Sequence, residues 1–270
     1  MKTGASYVVR HAWVTVLVVA SAAHAQSLEK RVAAAPDGSV RFSFAARPGV
    51  YGDGVNSINW GHNNRRYRNH QIDENWESEN DWSSPCDSGP VRVALTKSGG
   101  HVTNLRVYVG GDWRPNTTAT DLGTVGTKEA STYLLALAAS DEGSASEKAI
   151  LPAALADSVT VWPDLLKIAK NDKISRKVRR SAVFWLGQAA EDAATKGLTD
   201  LVEDGDQDRE VRESAVFALS QRPKDEGVPA LIQIAKANKD PDLRRKAIFW
   251  LGQSDDPRAL SLFEELLTKP

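Results

Sequence analysis

The sequence predicts an α+β protein: a small β-rich N-terminal region followed by an all-α superhelical solenoid of stacked helix pairs. Three observations predict it. An eleven-residue string recurs three times towards the C-terminus, at offsets of 33 and 32 residues. Apolar and polar side chains alternate with a period of two in the first half, and good helix-capping residues stand where the repeat units begin. The composition agrees. Of 270 residues, 41% are hydrophobic and 26% charged, an ordinary globular balance that excludes a disordered, collagen-like or multi-span membrane chain. Lys and Arg number 34 and Asp and Glu 35, for a net charge of −1, so the bulk positive charge of a nucleic-acid binder is missing. Cys86 is the single cysteine, and the fold must hold without an internal disulfide.

Taken in chain order, residues 1–25 come first. They contain Lys2 and Arg10, no acid, the apolar run Ala12–Ala20, and the small-x-small ending Ala23-His24-Ala25. That layout describes a secretory signal peptide cleaved between Ala25 and Gln26. The apolar run is about half the length needed to span a bilayer, so a retained anchor is the weaker reading. Export to a periplasmic or secreted location follows, with no transmembrane anchor after signal removal.

Residues 26–127 show no repeat and read as a small β-rich domain. Val40, Phe42 and Phe44 alternate with polar neighbours after the Pro36-Asp37-Gly38 turn. Val91, Val93 and Leu95, then Leu105, Val107 and Val109, flank Gly99-Gly100 as a hairpin. Val102 is out of phase with Leu105, which predicts a bulge near Thr103. Residues 51–90 read as one long loop rich in Asn and Trp, with Arg65, Arg66 and Arg68 ahead of an acidic run. It admits three readings: a polar loop plugged down by its tryptophans, a protein contact, or a glycan or cell-wall groove with Trp60, Trp76 and Trp82 as stacking platforms. In the last case an envelope polysaccharide is the partner. Arg65 and Arg66 are then the candidate polar contacts of the loop.

The helical half, residues 128–270, begins with helix-like segments at 129–140 and 146–157, followed by the repeats. Val178–Gln188, Val211–Gln221 and Leu243–Gln253 align in register. The aligned columns hold Arg179, Arg212 and Arg244; Phe184, Phe217 and Phe249; and Leu186, Leu219 and Leu251. Ser175, Asp208 and Asp240 precede these strings as N-caps, and Pro241 takes a first helical position. First helices are expected at 176–188, 209–221 and 241–253, and second helices at 160–170, 191–203, 225–237 and 257–268. A helical wheel spreads apolar residues over more than one side, so each pair needs neighbours on both sides. Phe217, in the central unit, is expected to be packed between its neighbours. The Arg column falls inside the apolar arc, where a half-buried guanidinium requires a carboxylate or carbonyl across the repeat boundary. A ligand grip is the other reading of that column.

The string from Asp208 to Leu219, D-x-x-V-R-x-x-A-x-x-x-L with a proline- or glycine-led second helix, resembles short bacterial HEAT repeats. The resemblance is specific over 159–268 and looser over 128–158. It implies a helical solenoid that acts as a protein-binding scaffold, with a subset of the family resembling bilin lyases and isomerases.

Sites for chemistry are sparse. His62, His70 and Cys86 fit no familiar zinc spacing, no glycine-rich phosphate loop is present, and no serine sits in a nucleophile elbow. The sequence thus predicts a non-enzymatic adaptor without cofactor or metal.

Overall fold

The computed structural model describes residues 26–55, 57–60, 65–68, 87–114, 118–140 and 143–268. Residues 1–25, the segment expected to be a signal peptide, and Trp76, Trp82, Cys86, His62 and His70, lie outside that set. The chain enters through α1 (Leu28–Ala34), β1 (Gly38–Phe44), β2 (Val50–Gly52), β3 (Ser57–Trp60) and β4 (Arg65–Arg68). It continues through β5 (Val91–Ser98), β6 (His101–Val109) and β7 (Thr120–Thr124). Helices follow: α2 (Thr127–Ala139), α3 (Ser144–Ala154), α4 (Trp162–Lys170), α5 (Arg176–Gly187) and α6 (Ala193–Glu203). The last four are α7 (Arg209–Ser220), α8 (Lys224–Ala237), α9 (Pro241–Gly252) and α10 (Pro257–Thr268).

Strands β6-β5-β1-β7 form a mixed sheet in that order. The expected alternation sets its register: Phe42 lies opposite Val93, Val93 opposite Val107, and Leu95 opposite Leu105. All of these side chains are buried. A one-residue slip would turn that whole set to solvent, so the register is strongly specified. Thr96 pairs with Asn104 and Lys97 with Val102, which leaves Thr103 as the extra residue of a bulge, where the alternation placed it. Gly99 and Gly100 turn the hairpin with φ of 60° and 81°, left-handed values that glycine adopts without steric cost. Asp37 accepts hydrogen bonds from both of their amides, at 2.6 and 3.0 Å, and these hold its carboxyl below the usual range.

Part of the expected loop at 51–90 is instead strand: β2, β3 and β4 form a second, three-stranded antiparallel sheet in the order β2-β3-β4. Short strands interrupted by glycine and asparagine carry too little alternation to declare themselves. The two sheets meet where glycine permits backbone contact: a Cβ on Gly52 would stand 2.4 Å from the Val109 carbonyl oxygen, and one on Gly89 2.5 Å from Gly110 Cα. Arg92 locks the crossing. Its Nε donates to Gly110 O at 2.8 Å, and its terminal nitrogens donate to Asp112 O and Gly54 O, each at 2.6 Å. The guanidinium also lies 4.9 Å from the Trp113 ring centre. Burial lowers the Arg92 pKa from its ordinary value. Gly52→Ala is expected to cost at least the roughly 1–3 kcal/mol of overpacking, because the opposing atom is backbone. A urea titration followed by Trp fluorescence would register the loss.

Lys97 continues the inward phase of Val91, Val93 and Leu95 and is buried. Its Nζ donates to the carbonyls of Val32, Ala33 and Ala35 at 2.7, 2.9 and 2.6 Å. These carbonyls lie at the C-terminal end of α1, where helical partners run out and a cation is also favoured by the helix dipole.

Helices α2 and α4–α10 fall within two residues of their expected bounds, whereas α3 ends at Ala154, three residues before the expected 157. The helices form two layers: α3, α5, α7 and α9 pack in series, and α2, α4, α6, α8 and α10 run alongside. The sheet rests on α3 and α2, where the Phe42 and Tyr133 rings meet edge to face at 6.2 Å. Buried residues from Leu28 to Leu262 join into one continuous core.

Candidate interaction surface

Each helix of the α5–α7–α9 layer separates its repeated columns by the 3.6-residue period. Val178, Ala182 and Leu186 on α5, Val211, Ala215 and Leu219 on α7, and Leu243, Ala247 and Leu251 on α9 are all buried to 1% exposure or less. Small and branched side chains at these positions let neighbouring helices approach closely. Gly187 marks one such approach, with the Ala218 carbonyl oxygen 3.0 Å from where its Cβ would stand.

The Arg column ties repeat boundaries together, most fully at Arg179. Arg179 is buried; its Nε donates to Ala169 O at 3.2 Å, one terminal nitrogen to the Asp208 carboxylate at 3.1 Å, and the other to Gln207 Oε1 at 2.8 Å. One side chain thereby ties the end of α4 to the turn before α7. Arg212 repeats the first bond, donating to Val202 O at 3.0 Å, and approaches Asp240 at 3.7 Å. Arg244 donates to Asn238 O at 2.7 Å. Asp208 therefore serves the guanidinium and makes no side-chain cap, whereas Asp240 does cap α9 through the Asp242 amide at 2.9 Å.

The Phe column departs from expectation. Phe184 and Phe217 are half-buried and Phe249 is 58% exposed, so these rings lie at the outer edge and not between helices. Periodicity alone does not say which recurring apolar column faces inward. The smaller residues take the interior because adjacent helices pack closely there. The phenylalanines instead join tryptophans of the same strings: Phe184 meets Trp185 at 5.4 Å, and Phe217 and Phe249 each approach Trp250 at 5.0 Å between ring centres. On the same outer stripe, one turn or more towards the N-terminal ends, ions pair across the helices. Arg176 and Arg180 reach Glu210 at 2.7 and 3.3 Å, Arg209 pairs with Asp242, and Glu213 with Lys246 at 3.3 Å. The face is therefore charged and self-neutralised at one end and aromatic at the other.

Of the loop residues suggested for glycan binding, Trp60 is buried against Trp185, with ring centres 5.2 Å apart. It fastens β3 to α5 and offers no free ring face to a sugar, which removes it as a platform. Arg65 and Arg66 lie on β4, and Trp76 and Trp82 fall outside the described residues. Trp185 and Trp250 are the residues that sequence reasoning passed over. Their signal was present, since both stand in the recurring string.

Buried polar groups reinforce the turns between helices. Arg222 donates to Thr195 Oγ1 at 2.7 Å, to the carbonyls of Ala189 and Glu191, and to Glu226 at 2.8 Å. Burial pushes the Glu226 carboxyl up, but hydrogen bonds from Thr195 and Arg222 outweigh it and hold the group below its usual range. Arg258 likewise holds Asp256 at about 2. A carboxyl with a depressed folded pKa stabilises the protein above its unfolded value near 4 and ceases to do so as pH falls through its folded value. Acid titration is therefore expected to lower the melting temperature between about pH 4 and pH 2, and Asp256→Asn to flatten part of that slope. Melts at closely spaced pH check it; identical slopes for parent and variant would remove Asp256 from this role.

No helix of the described residues is long and apolar enough to cross a membrane. Among them, no group of three His, Cys, Asp or Glu side chains is placed to hold a metal ion. A family model for HEAT repeats matches residues 205–270, and no family model matches the N-terminal half. No curated protein matches the chain. Residues 205–270 are thus similar to HEAT repeats, and the helical run as a whole is consistent with a HEAT-like solenoid, the same columns extending upstream of the match through α5.

Proposed function

We propose that the protein is an exported, non-enzymatic adaptor that holds another protein on the aromatic edge of its HEAT stack. The observation that carries this reading is the exposure of Phe249 beside Trp250, with Phe217 and Phe184 behind it on successive repeats. Aromatic side chains dominate the energetics of protein interfaces, and a row presented by rigid repeats needs no ordering on binding. HEAT repeats suggest protein partners, and the basic, apolar, small-x-small order of residues 1–25 supports export. Affinity capture from envelope extracts with the mature chain tests the reading. A stoichiometric partner retained by the parent and lost with Phe249→Asp is expected. Absence of any stoichiometric partner, or equal capture by the variant, would overturn it.

A further inference from the structure

The two interior boundaries of the stack are built alike but finished differently. At the first, the α6–α7 turn spans residues 204–208, and Gln207 closes over Arg179, accepting at 2.8 Å while its amide nitrogen approaches Lys170 O at 3.4 Å. At the second, the α8–α9 turn spans only 238–240. Lys239 precedes the cap Asp240 as Gln207 precedes Asp208, so an exposed lysine takes the sequence position of the amide acceptor. The shorter turn leaves a groove of about 580 Å³, lined by Glu203, Gly205, Arg212, Ala237, Lys239 and Asp240.

Two cations border this groove with unused capacity. Arg212 is mostly buried; its Nε is taken by Val202 O and one terminal nitrogen lies 3.7 Å from Asp240. Among the described residues its other terminal nitrogen has no hydrogen-bond partner, whereas the equivalent nitrogen of Arg179 is occupied. Lys239 is exposed and forms no ion pair among those residues. The two acids of the groove are partly engaged, Glu203 by the Gln233 amide at 3.1 Å and Asp240 by the Asp242 amide at 2.9 Å.

We propose that this groove seats an acidic side chain of a partner polypeptide, its carboxylate between Arg212 and Lys239 and its flanking peptide N–H groups donating to Asp240 and Glu203. The mixture of groups selects the ligand class. A free inorganic anion meets the two acids as well as the two cations, while an acidic peptide brings a carboxylate for the cations and N–H donors for the acids. A guanidinium with an open edge suits a carboxylate in particular. The proposal rests on the protein-binding reading and gives it a second, polar contact away from the aromatic edge.

Titration calorimetry of the full mature chain tests it with a capped peptide of alternating Glu and Gly, its Gln-for-Glu counterpart, and inorganic phosphate. Saturable binding of the Glu peptide that weakens with salt is expected, together with none of the Gln peptide. Lys239→Gln, an exposed change that restores the residue type of the first boundary, should weaken it about tenfold, as the loss of one charge-assisted hydrogen bond implies. Circular dichroism of this variant should match the parent. Failure of the parent to bind, equal binding by Lys239→Gln, or phosphate binding as tightly as the peptide would overturn the proposal. Undiminished envelope capture by Lys239→Gln alongside loss with Phe249→Asp would remove the groove while leaving the adaptor reading in place.

Discussion

Leu219→Ala is expected to unfold the helical half at markedly lower temperature, and Phe217→Ala, two residues away, to cost much less. Leu219 is fully buried in the centre of the stack. Truncating a buried leucine removes its transfer free energy and leaves a cavity that the surroundings only partly fill, together about 2–5 kcal/mol. In a repeat array each unit is stabilised by its neighbours, so loss at α7 weakens the interfaces with α5 and α9 together. Phe217 is half-buried and rests on one side against Trp250, so its truncation leaves space open to water and no sealed cavity. Thermal melts by circular dichroism compare the two. Equal losses, or a larger one for Phe217→Ala, would place the Phe column in the core after all.

Arg179→Ala is expected to have the second-largest effect. The side chain is 3% exposed and gives hydrogen bonds to a helix-terminal carbonyl, a carboxylate and an amide on two different turns. Removing one partner of a buried charged network leaves the others desolvated and unpaired, a change of about 3–5 kcal/mol when both charges are deeply buried. Asp208 is one-third exposed, so water takes up part of that loss and about 2–3 kcal/mol is expected. Arg244→Ala, whose hydrogen bonds among the described residues go to backbone carbonyls of the turn before α9, should cost less. Chemical denaturation of the two variants orders them. A smaller loss for Arg179→Ala than for Arg244→Ala would contradict its bridging role.

Much of this architecture is legible in the sequence, and the parts that are not have physical reasons. Helices α4–α10 declare themselves because each repeat copies the same period, caps and breakers, so three weak signals add. The Arg column could be assigned to the repeat boundaries because a guanidinium in an apolar arc has few places to go. The hairpin and its bulge at Thr103 follow from alternation alone. By contrast, α1 has seven residues, too few for a periodic signal. Strand β7 is largely polar and exposed and pairs in parallel with a strand some eighty residues earlier, so only tertiary contact defines it. Arg92 sits in the outward phase of its strand, yet three carbonyls from two separate turns hold it, two of them from the turn after β6. The misassigned Phe column has a different cause. Two apolar columns recur with equal fidelity, and packing distance, which the sequence does not contain, decides which one faces the neighbouring helix.

Native-state hydrogen exchange on the parent, Leu219→Ala and Phe217→Ala tests most directly whether residues 127–268 form one stack held by the Val, Ala and Leu columns. Leu219→Ala is predicted to reduce amide protection in α5, α7 and α9 together, with Phe217→Ala close to the parent throughout. Loss of protection confined to α7, or a pattern in which Phe217→Ala opens the neighbouring helices and Leu219→Ala does not, would contradict it.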